Sequence, residues 1–296
     1  MFLQAITAFV RSVANLLFYG NFWIAACAAA LSLQTELVFT GGVSRHPLHF
    51  FLAAGTLMIY ALHRITGLKK VGPFTEKGRY FVIQKYKKHI AAYAWLGGLS
   101  AAVLFWFLPF AVQIALVVPA LLSLGYVLPV LGGNKRLRDL DFLKIALVSG
   151  VWAWLTVVLP ALVFYDGGGL RLPVLLTIER VLFVFLLTLP FDVRDLTIDG
   201  YTGVRTLPAI LKKRGTRLAG AVAGGIALLL CAFNFCTAVT YTLPILLAES
   251  SSLLLALFAL YRCYEWKDDR WYTGFIDGLM LLRFGLSGYL VWLFWS

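Results

Sequence analysis

The chain has 296 residues, of which 61% are hydrophobic, and its mean hydropathy is +0.84. About half of a soluble domain is apolar, so this composition excludes an ordinary soluble domain and indicates a polytopic membrane protein. The net charge of +12 is one that can attract nucleic acid. An excess of Lys and Arg in cytoplasmic loops explains it better in a membrane protein, and we expect no nucleic-acid partner.

The apolar stretches predict an all-α fold, because about 20 apolar residues cross a bilayer as a helix. Residues 1–12 predict an N-terminal interfacial lead-in, without the features of a cleavable signal. Residues 13–296 predict a single transmembrane domain. We predict nine transmembrane helices, near residues 13–33, 48–66, 90–108, 110–131, 142–163, 172–191, 218–236, 238–260 and 275–295.

The distribution of Lys and Arg predicts how these helices are oriented. If the N-terminus and the loops after even-numbered helices share one side, that side contains all but four of the 26 Lys and Arg residues. The exceptions are Arg45, Arg171, Arg180 and Arg283. The positive-inside rule makes the basic side cytoplasmic, so we expect a multi-pass protein of the cell (inner) membrane with a cytoplasmic N-terminus.

Three aspartates after the sixth predicted helix are the strongest chemical signal. Asp192, Asp195 and Asp199 are spaced i, i+3, i+7, and the chain has only 14 acidic residues. On a helix they fall within an arc of about 60°, while Arg194 is expected on the opposite side. Oxygen ligands without nearby His or Cys suit Mg²⁺, which usually binds substrate phosphates as well. An acidic helix end that offsets neighbouring basic residues remains the alternative.

The sequence around these aspartates resembles a known family. Residues 192–208 read Asp-Val-Arg-Asp-Leu-Thr-Ile-Asp-Gly-Tyr-Thr-Gly-Val-Arg-Thr-Leu-Pro. This segment is similar to the second aspartate motif of the UbiA superfamily of intramembrane prenyltransferases. The resemblance implies a UbiA-type helical bundle, Mg²⁺ as cofactor, and a catalytic and metal-binding role for Asp192, Asp195 and Asp199.

The first aspartate motif of that family has no counterpart here. At the end of the second predicted helix, Tyr60, His63 and Gly67 stand where the family has aspartates. The usual arrangement of two magnesium-binding clusters is therefore in question. Either His63 and Arg64 contact the diphosphate and replace one metal, or the site binds without catalysis. Tyr60 and Arg64 also suit an interfacial anchor and a snorkelling cation.

The resemblance also implies cations that neutralise the departing diphosphate. Tyr126 followed by Lys135 and Arg136 is similar to a Tyr…Lys-Arg element after the family's fourth helix, with the spacing stretched by Gly132-Gly133. A basic cytoplasmic loop explains these cations equally well. The candidate diphosphate-binding residues are Arg64, Tyr126, Lys135, Arg136 and Arg205.

Three ionisable residues are predicted inside helices, where charge is costly. Glu179 lies about 20 Å along a helix from Asp192, too far to share its metal. An ion pair of Glu179 with Arg180 or Arg283 is the favoured interpretation, and contact with a polar acceptor head is the alternative. Asp277 is a weaker candidate for the cytoplasmic chamber. The four cysteines are interpreted as unpaired packing residues.

The resemblance implies transfer of a prenyl group from a prenyl diphosphate donor to a lipophilic or aromatic acceptor within the lipid bilayer. A catalytically degenerate UbiA-like protein, which binds an isoprenoid or a partner without prenyl transfer, is the competing hypothesis. The missing first motif favours the second hypothesis, and the intact second motif favours the first. A transporter would require paired charges near the membrane midplane and broken helices.

Overall fold

The computed structural model describes residues 13–68, 71–72, 78–132, 135–266 and 268–295. Within these residues the secondary structure is helical, and there is no β-strand. The predicted lead-in, residues 1–12, lies outside the described residues. The helices are α1 Phe22–Thr40, α2 Pro47–Leu68, α3 Gly78–Lys85, α4 Lys87–Phe105, α5 Phe110–Val127, α6 Leu143–Phe164, α7 Arg171–Tyr201, α8 Leu207–Thr237, α9 Leu243–Arg262 and α10 Trp271–Phe294.

Eight helices of the described chain are long and apolar enough to cross a membrane: α1, α2, and α5 to α10. The remaining predicted span, 90–108, overlaps the 19-residue helix α4. This helix packs along α2. Gly97 allows the close approach, because a Cβ at this position would lie 2.7 Å from the carbonyl oxygen of Ala54. The architecture is therefore the predicted polytopic all-α bundle.

The first predicted span, 13–33, is displaced relative to the structure. Residues 13–19 form a separate helical segment, and Asn21 has a left-handed backbone with φ of 69° that separates it from α1. The prediction ended before Gln34, Thr35 and Glu36 because they are polar. In the structure these three residues are buried inside α1, where Gln34 and Glu36 bond to side chains of other helices and Thr35 donates to the Thr156 carbonyl oxygen.

Helix α7 lies at the centre of the bundle and extends beyond the predicted span 172–191 to Tyr201. It packs against α6 and α8, and buried residues recur from Leu172 to Asp199 despite an internal Pro190. Proline removes one helical hydrogen bond, but the helix continues through the aspartates. Gly203, with φ of 75°, follows the end of the helix and turns the chain towards α8.

Helix α8 also begins earlier than the predicted span 218–236, because it includes the basic segment that the prediction treated as a loop. Its first residues are separated from the rest at Lys212, whose φ of 55° is not helical. Large apolar side chains on the outside of the bundle, among them Trp95, Trp106 and Leu229, are exposed. Such an apolar exterior suits contact with lipid.

Candidate functional site

A cavity of about 250 Å³ opens at one end of the bundle. The connections that follow α2, α5, α7 and α9 all contribute to the cavity wall. We call this end the basic end, because these connections and the helix ends beside them carry most of the Lys and Arg residues of the chain. The deeper wall is apolar and includes Ile24, Val184, Leu187 and Met280. The outer wall is lined by ionic side chains, so one cavity combines a polar mouth with an apolar interior.

The three aspartates of α7 all line this cavity. Lys144, at the start of α6, lies between two of them. Its Nζ atom is 2.7 Å from Asp192 Oδ1 and donates a hydrogen bond of 3.0 Å to Asp199 Oδ2. Both carboxylates are nearly inaccessible to solvent. A lysine ammonium therefore bridges the two carboxylates that the i, i+7 spacing brings to one face.

The third aspartate, Asp195, is held by two arginines. Arg79 Nη2 lies 2.7 Å from Asp195 Oδ1, and Arg194 Nε lies 2.8 Å from the same oxygen. Arg194 Nη1 also donates to Asp269 Oδ1 at 2.8 Å. The prediction that Arg194 points away from the aspartates is wrong. Its long side chain bends back, so that the guanidinium contacts the adjacent Asp195 carboxylate.

The arginine of α3 remains charged in this setting. Burial alone lowers the pKa of the Arg79 guanidinium, but the Asp195 carboxylate, the Tyr80 hydroxyl and the Asp269 carboxylate outweigh it, so that the pKa lies above its usual value. Deprotonation of Arg79 therefore plays no part near neutral pH. This arginine acts as a fixed positive charge.

The end of α2, where the resembling family has its first aspartate motif, forms the cavity wall opposite α7. We call this wall, with the side chains that contact it, the α2 side. Arg138 Nη1 donates to the imidazole of His63, with Nε2 the nearer ring nitrogen. The same guanidinium lies 5.3 Å from the centre of the Tyr126 ring. Tyr60 accepts a 3.2 Å hydrogen bond from Trp152 Nε1. Arg64 Nη2 donates to the Phe18 carbonyl oxygen at 2.9 Å.

The candidate diphosphate-binding residues separate into two groups. Arg64, Tyr126 and Arg136 line the cavity, although the Arg136 guanidinium also forms a 2.9 Å ion pair with Asp139. Lys135 and Arg205 are exposed and are not among the described residues that line it. The Arg205 backbone N–H instead donates to Asp141 Oδ1 at 2.8 Å, which joins the end of α7 to the connection before α6.

Sequence reasoning did not select several residues that complete the ionic wall. These residues are Arg79, Arg138, Lys144, Arg194 and Asp269. Only proximity in sequence could have indicated two of them, since Arg138 follows the Lys135-Arg136 pair and Arg194 lies inside the aspartate motif. Asp277, the weaker candidate, does line the cavity.

The donor atoms around the cavity can be tested for their fit to a divalent cation. Asp192 Oδ1 is buried and forms a 2.7 Å ion pair with Lys144 Nζ. Together with Asp199 it offers the hard oxygen ligands that suit Mg²⁺. The α7 side therefore fits one ion. From α2 the cavity is lined by Tyr60, His63, Arg64 and Gly67, so this helix supplies no carboxylate that would hold another ion.

A second set of charged residues lies deeper in the bundle and is closed. Arg283 Nη2 is 2.6 Å from Glu179 Oε1 and 3.7 Å from Glu249 Oε2. Of the two partners considered for Glu179, the structure therefore selects Arg283. Arg180 instead donates to Gln34, to Thr156 Oγ1 at 3.1 Å and to the Leu31 carbonyl oxygen at 3.3 Å. We call Glu179, Arg180, Glu249 and Arg283 the closed cluster, because all four are fully buried.

Oxygen and sulfur atoms of Glu179, Cys231 and Glu249 approach within 4.8 Å of one another in the closed cluster. The Arg283 guanidinium contacts both glutamates, so positive charge is already supplied there. All four cysteines are free thiols, as predicted.

Comparison with solved structures identifies the fold. A UbiA homologue from Archaeoglobus fulgidus bound to GPP and Mg²⁺ matches with a TM-score of 0.67 and 9% identity, covering 94% of this chain and 99% of that one. The apo structure of a UbiA homologue from Aeropyrum pernix K1 matches with a TM-score of 0.62 and 12% identity, covering 93% and 98%.

A structure described as digeranylgeranylglyceryl phosphate synthase in membranes gives a TM-score of 0.57 at 12% identity, covering 95% of this chain and 96% of that one. Neither a protein-family model nor a curated protein matches the sequence. The resemblance seen in the aspartate motif thus extends to the arrangement of the helices, and this chain is a multi-pass membrane protein with the UbiA fold.

Proposed function

We propose that the protein transfers a prenyl group from a prenyl diphosphate to a lipophilic or aromatic acceptor in the membrane. The observation that carries this proposal is the combination, in one cavity, of an ionic mouth and an apolar interior. A prenyl diphosphate has the same two-part character. The solved relatives with GPP and Mg²⁺ or with DMAPP and Mg²⁺ support this substrate class.

Asp192 and Asp199 would hold Mg²⁺ on the α7 side of the cavity, with Asp195 nearby and already paired to Arg79 and Arg194. When bound, the ion would neutralise negative charge on the diphosphate. To admit it, Lys144 must leave the space between the two carboxylates or bind the diphosphate itself. Arg64, Arg136 and Arg138 would stabilise the negative charge that grows on the leaving pyrophosphate.

The reaction begins when the allylic carbon–oxygen bond breaks and its electron pair leaves with pyrophosphate. An acceptor carbon then attacks the resulting allylic cation, and the proton that this carbon loses is taken up by the released pyrophosphate. The apolar wall formed by Ile24, Val184, Leu187 and Met280 would surround the prenyl chain. It would also exclude water, which would otherwise quench the cation.

The basic end is proposed to face the cytoplasm, in accordance with the positive-inside rule. A water-soluble diphosphate would then reach the ionic mouth from the cytoplasm, while the prenyl chain and the acceptor would reach the interior from the lipid. The N-terminus and the connections around the cavity would share this side. Accessibility labelling of single cysteines at Lys135 and at Asp166 tests the orientation, because these residues are expected on opposite sides of the membrane.

A catalytically degenerate protein that binds an isoprenoid diphosphate without transfer is the second candidate. One observation favours it: helix α2 supplies no carboxylate to the cavity at the place where the resembling family has its first aspartate motif. The two functions differ in one product, since only the enzyme releases pyrophosphate.

Ligand-dependent stability of the detergent-purified protein tests the proposal. Geranyl diphosphate and longer prenyl diphosphates are expected to raise the melting temperature in the presence of Mg²⁺, because a ligand of the folded state stabilises it by mass action. Asp192→Ala and Asp195→Ala are expected to abolish that Mg²⁺-dependent rise. Pyrophosphate release on addition of aromatic or lipid acceptors then separates the enzyme from the binder. Absence of any stabilisation would contradict both.

A further inference from the structure

The two sides of the cavity differ in how their positive charges are balanced. On the α7 side, Lys144, Arg79 and Arg194 each form an ion pair with an aspartate. On the α2 side, neither Arg64 nor Arg138 forms an ion pair within 4 Å among the described residues, although aspartates of the cavity wall act on both from farther away. The cations without a directly contacting carboxylate therefore lie on the side where the resembling family has its first aspartate motif.

The backbone around Arg138 is fixed by local contacts. It lies in the short turn Leu137–Asp139, which is closed by the Arg136–Asp139 pair: the Arg136 N–H donates to Asp139 Oδ2 at 2.9 Å, and its guanidinium donates to Oδ1 at 2.9 Å. The Leu137 side chain packs so closely on Gly125 that a Cβ there would lie 2.7 Å from it. Arg138 thus extends from an anchored turn.

The side chain of Arg138 is held in one direction, but its hydrogen bonds to described residues use only Nη1 of the guanidinium. Within the described chain its hydrogen bonds go to the His63 ring, and the guanidinium also lies against the Tyr126 ring. Because the arginine donates, the ring nitrogen of His63 that accepts carries no proton. Burial lowers the pKa of the Arg138 guanidinium, but the Tyr126 hydroxyl and the carboxylates of Asp199 and Asp195 raise it above its usual value. The charge is therefore permanent.

We propose that Arg138, oriented by His63, binds the diphosphate directly on the α2 side, and that the site consequently takes one divalent cation instead of two. This inference rests on the proposed function, since it concerns the same diphosphate. A guanidinium can donate two parallel hydrogen bonds to phosphate oxygens. A metal ion placed on the same side would be repelled by the fixed positive charge of Arg138.

The metal count provides the first test. Mn²⁺ replaces Mg²⁺ as a paramagnetic probe, and the ions bound per chain are measured in detergent-purified protein with saturating inorganic pyrophosphate. One bound Mn²⁺ per chain is expected. Two bound ions would overturn the inference. This measurement uses the unaltered protein, so it does not depend on whether any variant folds.

The second test removes the charge of Arg138. In Arg138→Gln, binding of geranyl diphosphate is expected to weaken about 10- to 100-fold, because a charge-assisted contact to phosphate is lost. Arg262→Gln is the matched control. It removes the same charge from an exposed residue at the end of α9, outside the cavity lining, and its affinity is expected to be unchanged. Equal affinities of the two variants would contradict the inference.

The third test exchanges the cation for a metal ligand. In the double variant His63→Asp/Arg138→Gln, a carboxylate replaces the imidazole and no guanidinium opposes a second ion. We expect two bound Mn²⁺ per chain, and recovery of the affinity lost in Arg138→Gln only when the metal is present. A count that stays at one, without recovery, would argue against Arg138 as the group that stands in for the metal.

These outcomes are distinct from failure of the proposed function. If one Mn²⁺ and an Arg138-dependent diphosphate affinity are found, but no acceptor yields a prenylated product, the inference stands and prenyl transfer is wrong. If prenyl transfer is observed with two metal ions and is insensitive to Arg138→Gln, the proposed function stands and the inference is wrong.

Discussion

Two groups of buried charges lie among the helices, and only one of them surrounds space. Around the cavity, Lys144 and the aspartates of α7 border a volume of about 250 Å³. In the closed cluster, Glu179 and Arg283 are in contact at 2.6 Å and have no accessible surface. Both groups contain intramembrane charges of both signs, and both connect residues that are far apart in the chain.

The difference shows that charge within a membrane helix is not enough to identify a site. In the closed cluster the charges contact one another and polar neighbours, including Gln34 and Tyr241, which donate to Glu249. Such a network can fix the positions of helices. Around the cavity, Asp192 forms an ion pair with Lys144 and Arg138 contacts His63, and all four side chains line the open volume. Charged groups that border space are the ones that can bind a ligand.

The largest expected effect is the loss of stability when the closed cluster is broken. Arg283→Met leaves Glu179 buried without its cation, which is expected to cost about 3–5 kcal/mol of stability. Thermal unfolding of the detergent-purified variant measures this. Pyrophosphate binding by the folded protein is expected to be unchanged, because the cluster does not line the cavity.

The double variant Glu179→Gln/Arg283→Met is the matched control for that loss. It removes both charges, so its destabilisation is expected to be smaller than that of Arg283→Met alone. If Arg283→Met keeps its stability and loses diphosphate binding instead, the separation between a structural cluster and a binding site is wrong.

The next largest effect concerns the α7 side of the cavity. Asp192→Asn keeps the shape of the side chain but removes its charge, and Mg²⁺-dependent binding of geranyl diphosphate is expected to fall by about 100-fold, since even partners of metal ligands contribute 10- to 100-fold. Isothermal titration with and without Mg²⁺ measures the change. Asp166→Asn, in an exposed loop between α6 and α7, is the control and is expected to match the unaltered protein.

The sequence predicted one side of the cavity far better than the other, and the reason is distance along the chain. The aspartates of α7 follow one another at helical spacing, so their common face could be derived from periodicity. Arg79, by contrast, is 116 residues from the Asp195 that it contacts. No local pattern predicts such a pair. Lys135 and Arg205 illustrate the converse, because both match a motif but are exposed.

The end of the first predicted span was placed wrongly for a related reason. Hydropathy ended the first predicted span before Gln34, Thr35 and Glu36, because polar residues are costly in lipid. In the folded protein these residues face partners on other helices, such as Glu249, Thr156 and His49. A polar residue inside a bundle and one at its edge look alike in sequence, since only the tertiary structure supplies the partner.

A smaller effect, of opposite sign, is expected at Lys144. Its ammonium group occupies the space between Asp192 and Asp199, so it competes with a divalent cation for the same carboxylates. Lys144→Gln is therefore expected to bind Mg²⁺ about tenfold more tightly in the absence of diphosphate, because a competing charge is removed. The Mg²⁺-dependent rise in melting temperature measures this. Weaker Mg²⁺ binding in the variant would show that the two carboxylates do not form the metal site.

The smallest effect distinguishes orientation from charge on the α2 side. His63→Leu removes the acceptor for Arg138 but keeps the guanidinium, so diphosphate affinity is expected to fall only about three- to tenfold, the value of one ordinary hydrogen bond. His63→Gln supplies an amide oxygen as acceptor, and its affinity is expected to remain within about twofold of the unaltered protein. A packing role for His63 would affect both variants alike, whereas an orienting role is rescued by glutamine. Titration of both variants with geranyl diphosphate therefore decides whether the α2 side needs only the charge of Arg138 or also the fixed direction that His63 gives it.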